Sequence, residues 1–111
     1  MRLKTPWLAL AIALWAGSVL AHPPTGIGIK INGTHVEIAV THAVKDPADH
    51  YIKHITVTLN GKIVVEQDFG LQTGNVQNAL YNLPGLKVGD KLSVRADCSK
   101  GGSLTEEKSV E

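Results

Sequence analysis

Beyond residue 21, apolar and polar residues alternate with period two along most of the chain, the pattern of strands that bury one face and wet the other. Ile27, Ile29 and Ile31 share one phase, and so do Val36, Ile38 and Val40, with the hairpin dipeptide Asn32-Gly33 between the two runs. Ile55, Val57 and Leu59 follow, and Asn60-Gly61 turns the chain back into Ile63, Val65 and Phe69. A fifth segment runs from Val76 to Leu83 and stops at Pro84-Gly85. A sixth carries Leu92, Val94 and Ala96 in phase, and a seventh spans Leu104 to Val110 after Gly101-Gly102. No segment holds a helical period and no internal repeat occurs. Seven short strands with turn signals between them predict an all-β chain, an immunoglobulin-like seven-stranded antiparallel β-sandwich.

The first 21 residues break this pattern. Met1-Arg2-Leu3-Lys4 is a short basic start, Trp7 to Trp15 is apolar, and Ala16 to Ala21 is rich in small residues, with Val19 and Ala21 at the −3 and −1 positions of a signal-peptidase site. The apolar run is about ten residues, half of the roughly 20 that a membrane-spanning helix needs. The expected organisation is therefore a signal peptide over 1–21, cleaved before His22, and one domain over 22–111, periplasmic or secreted and free of the membrane after cleavage. Cleavage leaves 9 basic against 10 acidic residues with no block of like charge, which argues against nucleic acid or an anionic membrane surface as partner. Cys98 is the only cysteine, so it forms no internal disulfide. It is an inert buried thiol, an intermolecular partner or a thiolate ligand.

Counting strands up and down brings the reactive side chains to one pole. The second strand ends at His42, the third begins just after His50, the sixth ends at Cys98, and His22 heads the first, so all four fall at the same end of the sandwich. His42 continues the inward phase of Val36, Ile38 and Val40, and Cys98 that of Leu92, Val94 and Ala96. Imidazoles with a thiolate form a borderline-to-soft donor set, suited to iron, copper or zinc and unsuited to magnesium or calcium. His35 and His54 fall on outward phases and read as surface residues. Pro23-Pro24 stiffens the chain behind His22 and lowers the entropy cost of holding it against a site. No nucleophilic triad, paired catalytic carboxylates, phosphate-binding loop or CxxC motif is present.

The run from His42 through His50-Tyr51-Ile52-Lys53-His54-Ile55 to Leu59-Asn60-Gly61-Lys62, together with the late Cys98, resembles the iron-binding domain of desulfoferrodoxin and neelaredoxin, the superoxide reductases. The resemblance covers nearly all of residues 22–111. It implies a mononuclear non-haem iron site with His42 and His50 as loop ligands, Cys98 as the axial thiolate and His22 as the counterpart of the family's amino-terminal histidine. It also implies superoxide as the small-molecule substrate and an electron-donor protein as partner, with Lys45 or Lys53 drawing in the anion. The chain departs from the family in three places. The His42 to His50 spacing is two residues longer, Ala43 stands where proline usually follows the histidine, and Gly101 stands where a further histidine ligand is expected.

Two other readings follow from the residues. A terminal His22 with a free α-amine would suit copper, in a periplasmic copper-binding protein. The Ile55 to Lys62 and Gly85 to Leu92 stretches are similar to the sandwich subunit of the Sox sulfur carrier, a non-enzymatic binding protein.

Overall fold

Each of the seven predicted strands is present in the computed structural model, which describes residues 22–111; the expected signal peptide lies outside the described residues. They are β1 (Gly26–Asn32), β2 (His35–Thr41), β3 (Ile52–Leu59), β4 (Lys62–Asp68), β5 (Val76–Asn82), β6 (Lys91–Cys98) and β7 (Ser103–Ser109). β1, β2 and β5 make one antiparallel sheet, and β4, β3, β6 and β7, in that order, make the other. β4 thus pairs with β3 rather than β5, which gives the sandwich a three-plus-four division. The first hairpin turns on Gly33-Thr34, one residue later than the dipeptide suggests, with Gly33 at φ 64° in the first central position. The second turns on Asn60 and Gly61, at φ 50° and 87°.

Between the sheets lie Ile27, Val36, Ile38, Val40, Ile55, Val57, Leu92, Val94 and Ala96, the in-phase residues of β1, β2, β3 and β6. The alternation fails at two bulges. Val57 pairs with Val65 but Thr58 pairs with Ile63, so Val64 is an extra residue, the phase reverses, and Ile63 is turned out to solvent at 54% exposure rather than inward with Val65. Near the start of β3, Ile52 pairs with Cys98 while His54 pairs with Asp97. Lys53 is the extra residue there; it is expelled to the surface and Ile52 is fully buried beside the end of β6. His35 is exposed, and His54 sits on the outer face of β3 between Asp68 (2.5 Å) and Glu66 (3.3 Å) of β4. The hydrogen bond to Asp68 is the main cause of a His54 pKa raised above the usual histidine value.

At the pole opposite His42, Asp90 is buried and accepts hydrogen bonds from Asn60 Nδ2 (2.9 Å), Lys87 N (2.9 Å) and Lys87 Nζ (3.1 Å). These bonds, Asn60's foremost, hold its pKa down to about 2. A depressed carboxylate pKa stabilises the fold at every pH above the unfolded value and loses that effect as pH falls through the folded one. Asp90→Ala is therefore expected to lower the urea midpoint at neutral pH, with the gap to the parent closing as the pH approaches 2. Urea melts across a pH series measure it, and a gap that stays constant into acid would show that the anion is not the stabilising species.

Candidate metal centre

Four side chains meet at the pole formed by the end of β2, the loop into β3, the end of β6 and the segment before β1. The rings of His22, His42 and His50 form a near-equilateral triangle with centroids 4.7 to 4.9 Å apart, and one donor atom from each lies within 4.8 Å of the others. Cys98 Sγ is 3.0 Å from His50 Nε2. His42 and Cys98 are buried, at 0% and 1% exposure, while His50 is half-buried and His22 exposed. The cluster is therefore closed on its core side and open at the top.

Each residue is held by local structure. His42 follows β2, and its backbone N donates to Asn75 O at 2.9 Å. His50 ends a turn capped by Asp46, whose carbonyl accepts from Asp49 N (3.1 Å) and His50 N (2.9 Å) and whose carboxylate accepts from Ala48 N (3.1 Å). Reciprocal bonds between Tyr51 and Ser99 clamp that turn to the end of β6: Ser99 N donates to Tyr51 O (2.8 Å) and Tyr51 N to Ser99 Oγ (3.1 Å). Around Cys98 the chain curls back, with Lys100 N donating to Sγ at 3.4 Å and Cys98 N to Gly102 O at 2.9 Å. His22 precedes Pro23, which lies over Gly102; a Cβ built on Gly102 would stand 3.2 Å from Pro23 Cβ.

Charge and burial suit a cation. Desolvation first, then the neighbouring His42 and His22, hold the His50 pKa below the ordinary histidine value; Lys100 adds to this and Asp49 opposes it. The shift favours the neutral ring, the form that binds metals. The fit of a metal rests on one atom in particular. His42 Nε2 is buried and has no hydrogen-bond partner among the described residues. Such an orphaned polar atom costs about 1–3 kcal/mol, and a metal held by the three imidazoles and the Cys98 thiolate is the group that would satisfy it. Gly101, at φ 104°, brings no side chain to the cluster.

Of the lysines singled out in the sequence, Lys45 lines the cleft beside His22 and His50, together with Asp46, Asp49 and Asn75. Lys53 is carried to the surface of β3 by its bulge. Lys100, which sequence reasoning passed over, also lies beside the cluster, its Nζ 3.2 Å from Asp49 and its backbone N 3.4 Å from Cys98 Sγ. Gln72 was missed as well. It is 2% exposed and stands directly behind His42, with Oε1 3.0 Å from His42 Nδ1. It lies in a polar loop with no periodicity, and nothing in its sequence context marks it as buried.

No family model matches the chain, and no curated protein matches it. Among solved structures it is similar to superoxide reductase (1Fe-SOR) from Giardia intestinalis, at 20% identity and a TM-score of 0.64, over 80% of this chain and 100% of that one. The likeness is one of fold, and the three histidines at the pole of the sandwich form a group that could hold a metal ion.

Proposed function

We propose that this chain is an exported mononuclear non-haem iron protein that reduces superoxide to hydrogen peroxide, with His22, His42, His50 and Cys98 as the ligands. The observation that carries the reading is the convergence of three imidazoles, with the Cys98 sulfur against His50 and with a buried His42 Nε2 that has no hydrogen-bond partner among the described residues. When bound, ferrous iron would supply one electron to superoxide, two protons from solvent would complete hydrogen peroxide, and an electron-donor protein would return the electron to the iron. The chain's own residues do the rest. The imidazoles are neutral donors and the thiolate an anionic one, whose electron release tunes the potential. Lys45, exposed on the rim of the cleft, raises the local concentration of a small anion; Lys53, turned away by its bulge, contributes at longer range. The same reading takes residues 1–21 as a signal peptide and the periplasm or extracellular space as the place of action.

Metal analysis and the visible spectrum of the protein isolated from its native compartment, followed by stopped-flow mixing with superoxide, test this. One iron per chain, a thiolate-to-iron charge-transfer band in the oxidised form and a superoxide-dependent change in that band are expected. Copper that is lost when the amino terminus is blocked would replace superoxide reduction at iron with copper binding through His22. In the structure His22 Nδ1 is 3.3 Å from Pro23 O, which leaves Nε2 as the free ring nitrogen. No stoichiometric metal would end both readings.

A further inference from the structure

The hydrogen bonds of Gln72 carry an inference that rests on the metal reading of the cluster and goes beyond it. Gln72 is buried on the loop between β4 and β5, and both ends of its amide are committed to backbone. Its Nε2 donates to His42 O and to Gly74 O, both at 2.6 Å. Its Oε1 accepts from Ile52 N at 3.0 Å. The orientation of the amide is therefore dictated by groups that cannot change roles, because carbonyls only accept and an N–H only donates. Oε1 is also the atom 3.0 Å from His42 Nδ1. A carbonyl oxygen facing a ring nitrogen requires that nitrogen to carry the hydrogen, so Nδ1 is the protonated nitrogen of His42 and Nε2 holds the lone pair. Nε2 is the same atom that is buried without a hydrogen-bond partner among the described residues.

We propose that Gln72 is a positioning residue of the metal centre: it locks His42 in the Nδ1–H tautomer and so presents the Nε2 lone pair to the metal before the metal arrives. Three backbone segments fix it in place. His42 O belongs to the end of β2, Ile52 N to the start of β3, and Gly74 O to its own loop, while Gln72 N donates to Pro47 O at 3.1 Å in the loop that carries His50. Through one residue, its side chain and its backbone N together, the ring of one proposed ligand is tied to the loop of the next. In the other tautomer, Nε2–H would face the cluster and Nδ1 would place its lone pair against the Oε1 lone pairs, an arrangement unfavourable on both sides of the ring.

Long-range proton–nitrogen NMR correlations of the metal-free protein read the tautomer directly, and titration with cobalt(II) reads the affinity. The parent protein is expected to show a single His42 form with an unprotonated Nε2. Gln72→Leu keeps the side-chain size and removes the acceptor; it should give a mixture of His42 tautomers and bind cobalt(II) about 10- to 100-fold more weakly. Gln72→Glu restores an acceptor at Oε1 and should recover the Nδ1–H tautomer. A parent His42 protonated at Nε2 overturns the proposal, even if neither variant folds. A folded Gln72→Leu that keeps both tautomer and affinity overturns it as well. Failure of the parent to bind cobalt(II) or iron would instead sink the metal reading, with the tautomer result separately deciding what Gln72 does to His42.

Discussion

Replacing Cys98 with serine is expected to erase the visible charge-transfer band of the oxidised, iron-loaded protein and to reduce its reaction with superoxide to the level of the iron-free chain. The band requires sulfur, because only the thiolate offers filled orbitals high enough in energy to transfer charge to ferric iron in the visible range. In the proposed reaction the sulfur has a related role: an anionic thiolate would raise electron density at a bound metal. The replacement is nearly isosteric, and the environment of Sγ is already polar, with His50 Nε2 at 3.0 Å and Lys100 N at 3.4 Å. The hydroxyl therefore inherits partners for both donation and acceptance, and the sandwich should fold. Absorption spectra of the iron-reconstituted variant, beside a far-ultraviolet dichroism spectrum for the fold, measure the two effects separately. A band that survives the substitution would remove Cys98 from the ligand set, while loss of the folded spectrum would assign Cys98 a structural role instead.

Much of this site was legible before any coordinates, and the reason is geometric. Period-two alternation fixes which face each strand buries, so carrying the phase of Val36, Ile38 and Val40 one step further correctly turned His42 inward, and the phase of Leu92, Val94 and Ala96 did the same for Cys98. Counting strand directions then brought distant parts of the sequence to one pole. The failures lie where alternation carries no information. A bulge inserts a residue without altering the composition of the strand, so the outward turn of Ile63 and the expulsion of Lys53 left no trace in the pattern. Gln72 was invisible for another reason. A glutamine in a polar loop reads as solvated, and only the convergence of four hydrogen bonds on its side chain, two with His42 and one each with Ile52 and Gly74, turns it inward.

The same blindness applies to Gly102, which reads as an ordinary turn glycine and yet seats Pro23, next to His22, the proposed ligand. At φ 92° it occupies backbone space that other residues enter only under strain. Its missing Cβ is what lets Pro23 lie against the β6–β7 turn, since an added methyl would stand 3.2 Å from Pro23 N and Cβ and 3.3 Å from its Cα. Those contacts are with backbone and a stiff ring, which give way only by moving the segment. Gly102→Ala is thus expected to destabilise the domain by about 1–3 kcal/mol through backbone strain. It should also shift Pro23, and His22 with it, away from the cluster. The second effect has its own signature in a double-mutant cycle. If Gly102 acts on the metal through His22, then His22→Ala and the His22→Ala/Gly102→Ala pair should bind cobalt(II) with the same affinity, because the ligand that Gly102 positions is already gone. Additive losses would mean that the glycine serves only the turn that carries Cys98, whose backbone N donates to Gly102 O at 2.9 Å. The cycle therefore separates a residue that seats a ligand from one that merely shapes a loop.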